Sequence, residues 1–99
     1  MKVDISTLPH QVRNFIQAVQ ENARKVPGWD ENFVQRLLCV EVDKDGGVTI
    51  SDNFERFFSG IYTYTYGGKW LVRDMYGEGG DRPYSYAQAM GDAAIMFTG

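Results

Sequence analysis

Ile61-Tyr-Thr-Tyr-Thr-Tyr-Gly-Gly-Lys-Trp-Leu-Val-Arg-Asp74 is a two-residue alternation of large and β-branched side chains broken once, at Gly67-Gly68. Alternation of this kind belongs to a strand with two unlike faces. A Gly-Gly pair between two such runs signals a hairpin, because glycine adopts positive φ without a Cβ clash. A two-residue turn sets Tyr66 opposite Lys69, Thr65 opposite Trp70, Tyr64 opposite Leu71, Thr63 opposite Val72 and Tyr62 opposite Arg73. Opposed residues share a face. This register therefore directs Ile61, Thr63, Thr65, Trp70 and Val72 to the core, and gathers Tyr62, Tyr64, Tyr66, Lys69, Leu71 and Arg73 on the other side. Tyrosine beside arginine is the composition that contact surfaces favour. The second face is thus the expected partner-binding surface, unless a layer beyond the sheet buries its tyrosines as a second core.

Upstream of the hairpin, Leu8, Val12, Phe15, Ile16, Val19, Ala23 and Val26 recur at helical spacing, predicting a helix over residues 8 to 26 that Pro27-Gly28 ends. Asp30 is a candidate N-cap for a short helix over about 31 to 37, with Trp29 placed to staple onto Val34. Leu38 to Val42 and Val48 to Ile50 flank Asp43-Lys-Asp-Gly-Gly47 and read as another hairpin. Phe54, Phe57, Phe58 and Ile61 then suggest one or two helical turns between the hairpins. After the loop from Tyr76 to Pro83, Ser85-Tyr-Ala-Gln88 has the spacing of a capping box. Behind it, Tyr86, Ala89, Met90, Ala93 and Phe97 form the buried stripe of a last helix. The fold class expected is α+β: a single domain over residues 1 to 99, with an antiparallel sheet of about four strands packed by the N-terminal and C-terminal helices.

Composition narrows the function. The chain has 99 residues, 43% hydrophobic, 14% aromatic and 23% charged, with a net charge of −3. That is an ordinary globular profile. Its acidity gives it no overall attraction for phosphate backbones, so nucleic acid is disfavoured as a partner. The N-terminal Met1-Lys-Val-Asp-Ile-Ser stretch lacks the apolar run of a signal peptide, and no segment approaches the roughly 18 apolar residues of a membrane span. A cytoplasmic location is expected. Cys39, the single cysteine, excludes an internal disulfide and reads as a small buried hydrophobe.

Glu41-Val-Asp-Lys-Asp-Gly-Gly-Val-Thr-Ile-Ser-Asp52 resembles the loop of an EF-hand calcium site. The resemblance implies oxygen ligands from Glu41, Asp43, Asp45 and Asp52, with Gly46 at the sharp turn and Val48 after it. The loop opens with Glu and closes with Asp where the family has Asp and Glu, and it has no second hand to pair with. An acidic hairpin turn accounts for the same residues. Gly77-Glu-Gly-Gly-Asp-Arg82 stands where phosphate-binding loops stand, but it matches no phosphate-loop pattern and carries Glu78 and Asp81. Over its last third the chain is similar in element order to a double-stranded-RNA-binding domain. That family grips phosphate with lysines on its final helix, and Ser85 to Asp92 contains none.

His10 is the lone histidine and falls in the first turn of a helix. No spacing specifies a catalytic triad or a zinc site, and a carboxylate pair such as Asp74 with Glu78 is a candidate for acid/base work only where the fold makes the two converge. The sequence thus points to a non-enzymatic binding protein without cofactor or metal, monomeric or homodimeric, acting as a stoichiometric inhibitor of another protein. A phage-type anti-defence protein or a toxin-immunity partner is the kind of role expected. Its partner-binding residues are expected to be Tyr62, Tyr64, Tyr66, Lys69, Arg73 and Arg82. The alternatives are a single-stranded nucleic-acid-binding module, for which the stacked aromatics and cations would have to share one surface, and a calcium-binding protein.

Overall fold

The computed structural model describes residues 4–54, 56–58, 60–75 and 79–97. A short 3-10 turn at Ile5–Thr7 leads into α1 (His10–Arg24) and α2 (Glu31–Arg36). Strands β1 (Leu38–Val42), β2 (Val48–Asp52), β3 (Gly60–Tyr64), β4 (Trp70–Asp74) and β5 (Arg82–Tyr84) follow, and α3 (Tyr86–Ile95) closes the chain. The sheet is an antiparallel meander in the order β1-β2-β3-β4-β5. It is five-stranded rather than about four, because the end of the glycine-rich loop pairs as β5 along β4. Three residues containing Pro83 give almost no sequence signal for a strand, and an edge is where proline is tolerated.

α1 forms on its apolar stripe behind Pro9, while α2 and α3 add a polar cap. Asp30 accepts from the Phe33 amide at the start of α2. Ser85 and Gln88 make the reciprocal capping box of α3. Val12, Phe15, Ile16, Val19 and Ala23 of α1, with Ala89 and Ala93 of α3, are fully buried. Small alanines let α3 lie close to α1, and the Asn22 amide donates to the Ala93 carbonyl. The described residues after β2 are not helical. Asp52 is 2% exposed and accepts the backbone amides of Phe54, Arg56, Phe57 and Phe58, so one carboxylate organises an irregular loop. Burial raises the Asp52 pKa, but these four amides outweigh it and hold the group below its ordinary value. Trp29 packs its ring on Phe33, Phe57 and Phe97, which anchors this loop to α2 and the chain end.

The β3–β4 register differs from the two-residue turn. Tyr64 pairs with Trp70, Thr63 with Leu71, Tyr62 with Val72 and Ile61 with Arg73. The Thr65 amide donates to the Lys69 carbonyl and the Gly68 amide to the Thr65 carbonyl, so the loop is Tyr66-Gly67-Gly68. Only Gly68 of the glycine pair takes positive φ, at 88°. This is a three-residue hairpin whose left-handed glycine forms the bulge, and the Thr65 hydroxyl fastens it by accepting from the Lys69 amide. A slip of one residue exchanges the faces of one strand relative to the other. Trp70 and Val72 still point to the core, but Tyr62 and Tyr64 now join them.

Two rows cross the helix side of the sheet: Val42, Val48, Tyr64, Trp70 and Tyr84, then Val40, Ile50, Tyr62, Val72 and Arg82. The opposite face carries Glu41, Thr49, Thr63, Leu71 and Pro83 in one row. Cys39 pairs with Ser51 and Ile61 with Arg73 beside it, and none of these residues is buried. Cys39 is therefore a half-buried residue turned away from the core, with its Sγ 3.8 Å from Glu41 Oε1. Among the described residues, no helix is long and apolar enough to cross a membrane.

Candidate functional site

The second core row ends at the sheet edge on Arg82, an exposed residue where the rows inside it hold Val72 and Tyr62. The edge of the core consequently stays open. There α3 passes over β3, β4 and β5, leaving a cleft of about 410 Å³. Phe57, Phe58, Tyr62, Val72 and Tyr84 form its apolar walls, and Ile95 and Met96 contribute from the end of α3. Asp92, Asp74 and Arg82 supply its polar groups. A concave site that joins apolar walls to a few convergent polar groups is a usual form of binding site.

The centre of the cleft is Asp92. The Tyr62 hydroxyl donates to its Oδ2 at 2.8 Å and the Tyr84 hydroxyl donates to the same oxygen at 2.6 Å. Burial, reinforced by the hydrogen bond to Asp92 and by its charge, pushes the Tyr62 phenol well above its ordinary pKa. The same hydrogen bond, with burial second, pushes Tyr84 up to about 12. Both phenols keep their protons at neutral pH and act as donors. Neither is a ready base. At the mouth, Arg82 lies 3.6 Å from Asp74, with both side chains 61% exposed, which makes a loose and solvated ion pair. Ile95, 68% exposed, forms an apolar rim.

The structure disperses the six residues expected to bind a partner. Tyr62, 4% exposed, is a core residue whose ring lies 4.8 Å from Phe15, so the aromatic ladder is not a solvent face. Tyr64 is half-buried against Trp70. Tyr66, 83% exposed, stands at the hairpin tip over Gly46, with Lys69 exposed in the same loop. Beside that tip, Val42, Gly46, Tyr64 and Tyr66 line a second hollow of about 460 Å³ with Leu8 and Pro9. Arg73 lies on the open sheet face, while Arg82 is on the helix side, at the cleft. Arg56 stacks its guanidinium near the Phe57 ring, 5.8 Å from the centroid. The cations therefore share no single surface.

The acidic loop is a hairpin turn between two strands. Asp43 Oδ1 accepts from the Asp45 and Gly47 amides, Gly46 takes φ of 90°, and the Asp52 carboxylate is committed to the loop after β2. Among the described residues, no group of three or more His, Cys, Asp or Glu side chains is placed to hold a metal ion. His10 is exposed and meets Asn14. Gly77 and Glu78, and with Glu78 the carboxylate pair expected with Asp74, lie outside the described residues.

Asp92 is the site residue that sequence reading passed over. It sits on a helix whose signal was carried by alanines, 30 residues from one of its hydroxyl partners and 8 from the other. Its place one turn before the end of α3, facing the Tyr-rich strands, was the available clue. Compared with known proteins, the chain matches no protein-family model, no curated protein and no solved structure.

Proposed function

We propose that this chain is a stoichiometric protein-binding domain, an inhibitor that works by covering its partner, and that the cleft at the end of α3 is its contact site. The observation that carries this reading is the combination of an apolar rim at Ile95 with aromatic walls and convergent carboxylates beneath it. Such a hollow receives a protruding side chain, and anchor side chains in fully desolvated pockets carry most of the energy of protein interfaces. The scattering of Arg56, Lys69, Arg73 and Arg82 supports a protein partner over a single-stranded nucleic acid, whose backbone needs a continuous basic track. A role among phage-type anti-defence or toxin-immunity proteins, exercised in the cytoplasm, fits a domain of 99 residues that acts by occupancy.

The test is affinity capture from the native host's lysate with three baits. The unaltered chain and Tyr66→Ser are expected to retain one protein in a fixed molar ratio by native mass spectrometry, and Ile95→Lys to lose it. Retention of nucleic acid in place of protein would overturn the protein reading. Equal capture by Ile95→Lys would remove the cleft as the contact site.

A further inference from the structure

Resting on that reading of the cleft, we propose that its occupant is the guanidinium end of an arginine side chain from the partner. Asp92 is held with both tyrosine hydroxyls on Oδ2, and among the described residues no donor reaches Oδ1. A carboxylate so oriented has one oxygen ready for a further N–H. Asp74 at the mouth is the second acceptor, and its only ion-pair partner among the described residues is Arg82. The cleft lining itself carries two carboxylates against one guanidinium, with Arg56 outside it beside the Phe57 wall, in a chain whose own net charge is −3.

The walls select among cations. Phe57, Phe58, Tyr62 and Tyr84 present aromatic surface, which a planar, weakly hydrated guanidinium stacks upon better than a strongly hydrated ammonium does. The molecule already shows both halves of this chemistry. The Arg56 guanidinium lies beside the Phe57 ring, and the Arg82 guanidinium reaches Asp74 at the cleft mouth. In this view Arg82 is an internal competitor that the incoming arginine displaces, rather than a contact for the partner.

The test uses the blocked tripeptide acetyl-Gly-Arg-Gly-amide, its glutamine counterpart and agmatine, titrated into the full chain and followed by amide and tyrosine-ring NMR shifts. The arginine peptide is expected to give saturable shifts at Tyr84, Asp92 and Ala93, weakening with added salt. The glutamine peptide should bind about tenfold more weakly or not at all, since it lacks the charge-assisted bonds. Asp92→Asn should weaken the arginine peptide about tenfold, while the exposed Asp74→Asn, whose folding is not at stake, should weaken it about threefold. Arg82→Ala should tighten it about threefold by removing the competitor.

Equal binding of the two peptides, or weaker binding by Arg82→Ala, would overturn the proposal. Agmatine binding tenfold or more tighter than the peptide would assign the cleft to a small cation and overturn the partner side chain as its source. Should capture of a protein persist unchanged in Asp92→Asn, the arginine anchor falls and the protein-binding reading stands.

Discussion

Tyr62→Ala is the substitution that decides the register of the central hairpin. In the structure Tyr62 pairs with Val72, is 4% exposed, packs its ring 4.8 Å from Phe15 and donates its hydroxyl to Asp92 at 2.8 Å. Truncating a buried aromatic side chain costs roughly 3–5 kcal/mol, from lost transfer energy and the cavity left behind. Against a total stability of roughly 5–15 kcal/mol for a domain of this length, that is a large fraction. At about 4–8 °C per kcal/mol, the melting temperature should fall by roughly 12–40 °C. Tyr62→Phe separates the two contributions: it keeps the ring and removes one hydrogen bond to a carboxylate, a loss of about 1.5–3 kcal/mol. With a two-residue turn, Tyr62 would face solvent opposite Arg73, and the alanine variant would stay within about 0.5 kcal/mol of the parent. Urea melts of both variants, with Thr63→Ala as the control from the opposite face, make the measurement. A loss below about 1 kcal/mol for Tyr62→Ala would refute the register and the placement of the tyrosines in the core.

Two further predictions concern pH. Tyr84 keeps its proton up to about pH 12 in the folded chain, and Tyr62 holds its own well above the ordinary value. The unfolded phenols ionise near pH 10, so the folded state binds more protons above that pH, and stability should fall as pH rises from about 10 through 12. Phenolate absorbance should show a step near pH 12 that Tyr84→Phe removes. Asp52 has the opposite sign. Its folded pKa lies below the unfolded value near 4, so its contribution is present above that value and is lost as pH falls through the folded pKa. Asp52→Ala, which strands four backbone amides, should cost about 3 kcal/mol at neutral pH and flatten this acid limb, as measured by urea melts between pH 2 and 7.

The identity of most elements was legible along the chain, since α1, α2, α3 and the strands β1 to β4 each follow from a local period, a cap or a turn signal. The apolar stripe of α1, Asp30 before α2 and the Ser85–Gln88 box act within a turn or two of chain, and tertiary contacts reinforce what they already favour. The hairpin at Gly67-Gly68 was legible as a hairpin, but its register was not. Two-residue and three-residue loops both use glycine, and the difference lies in which glycine adopts positive φ and in how far the Thr65–Lys69 pair extends the ladder.

That one residue decided whether Tyr62 was surface or core, and only packing against Phe15 and α3 supplies the energy that selects it. The same holds for Asp52, whose carboxylate turns a run of phenylalanines at helical spacing into an irregular loop by offering the backbone a better acceptor. It holds also for β5, which exists because β4 is beside it. The cleft is the furthest from sequence. Tyr62, Tyr84 and Asp92 come from two strands and a helix, and their convergence depends on where α3 crosses the sheet. Local propensity carries no information about that crossing, because it is set by the packing of α3 against α1 and by the Tyr62 and Tyr84 bonds to Asp92.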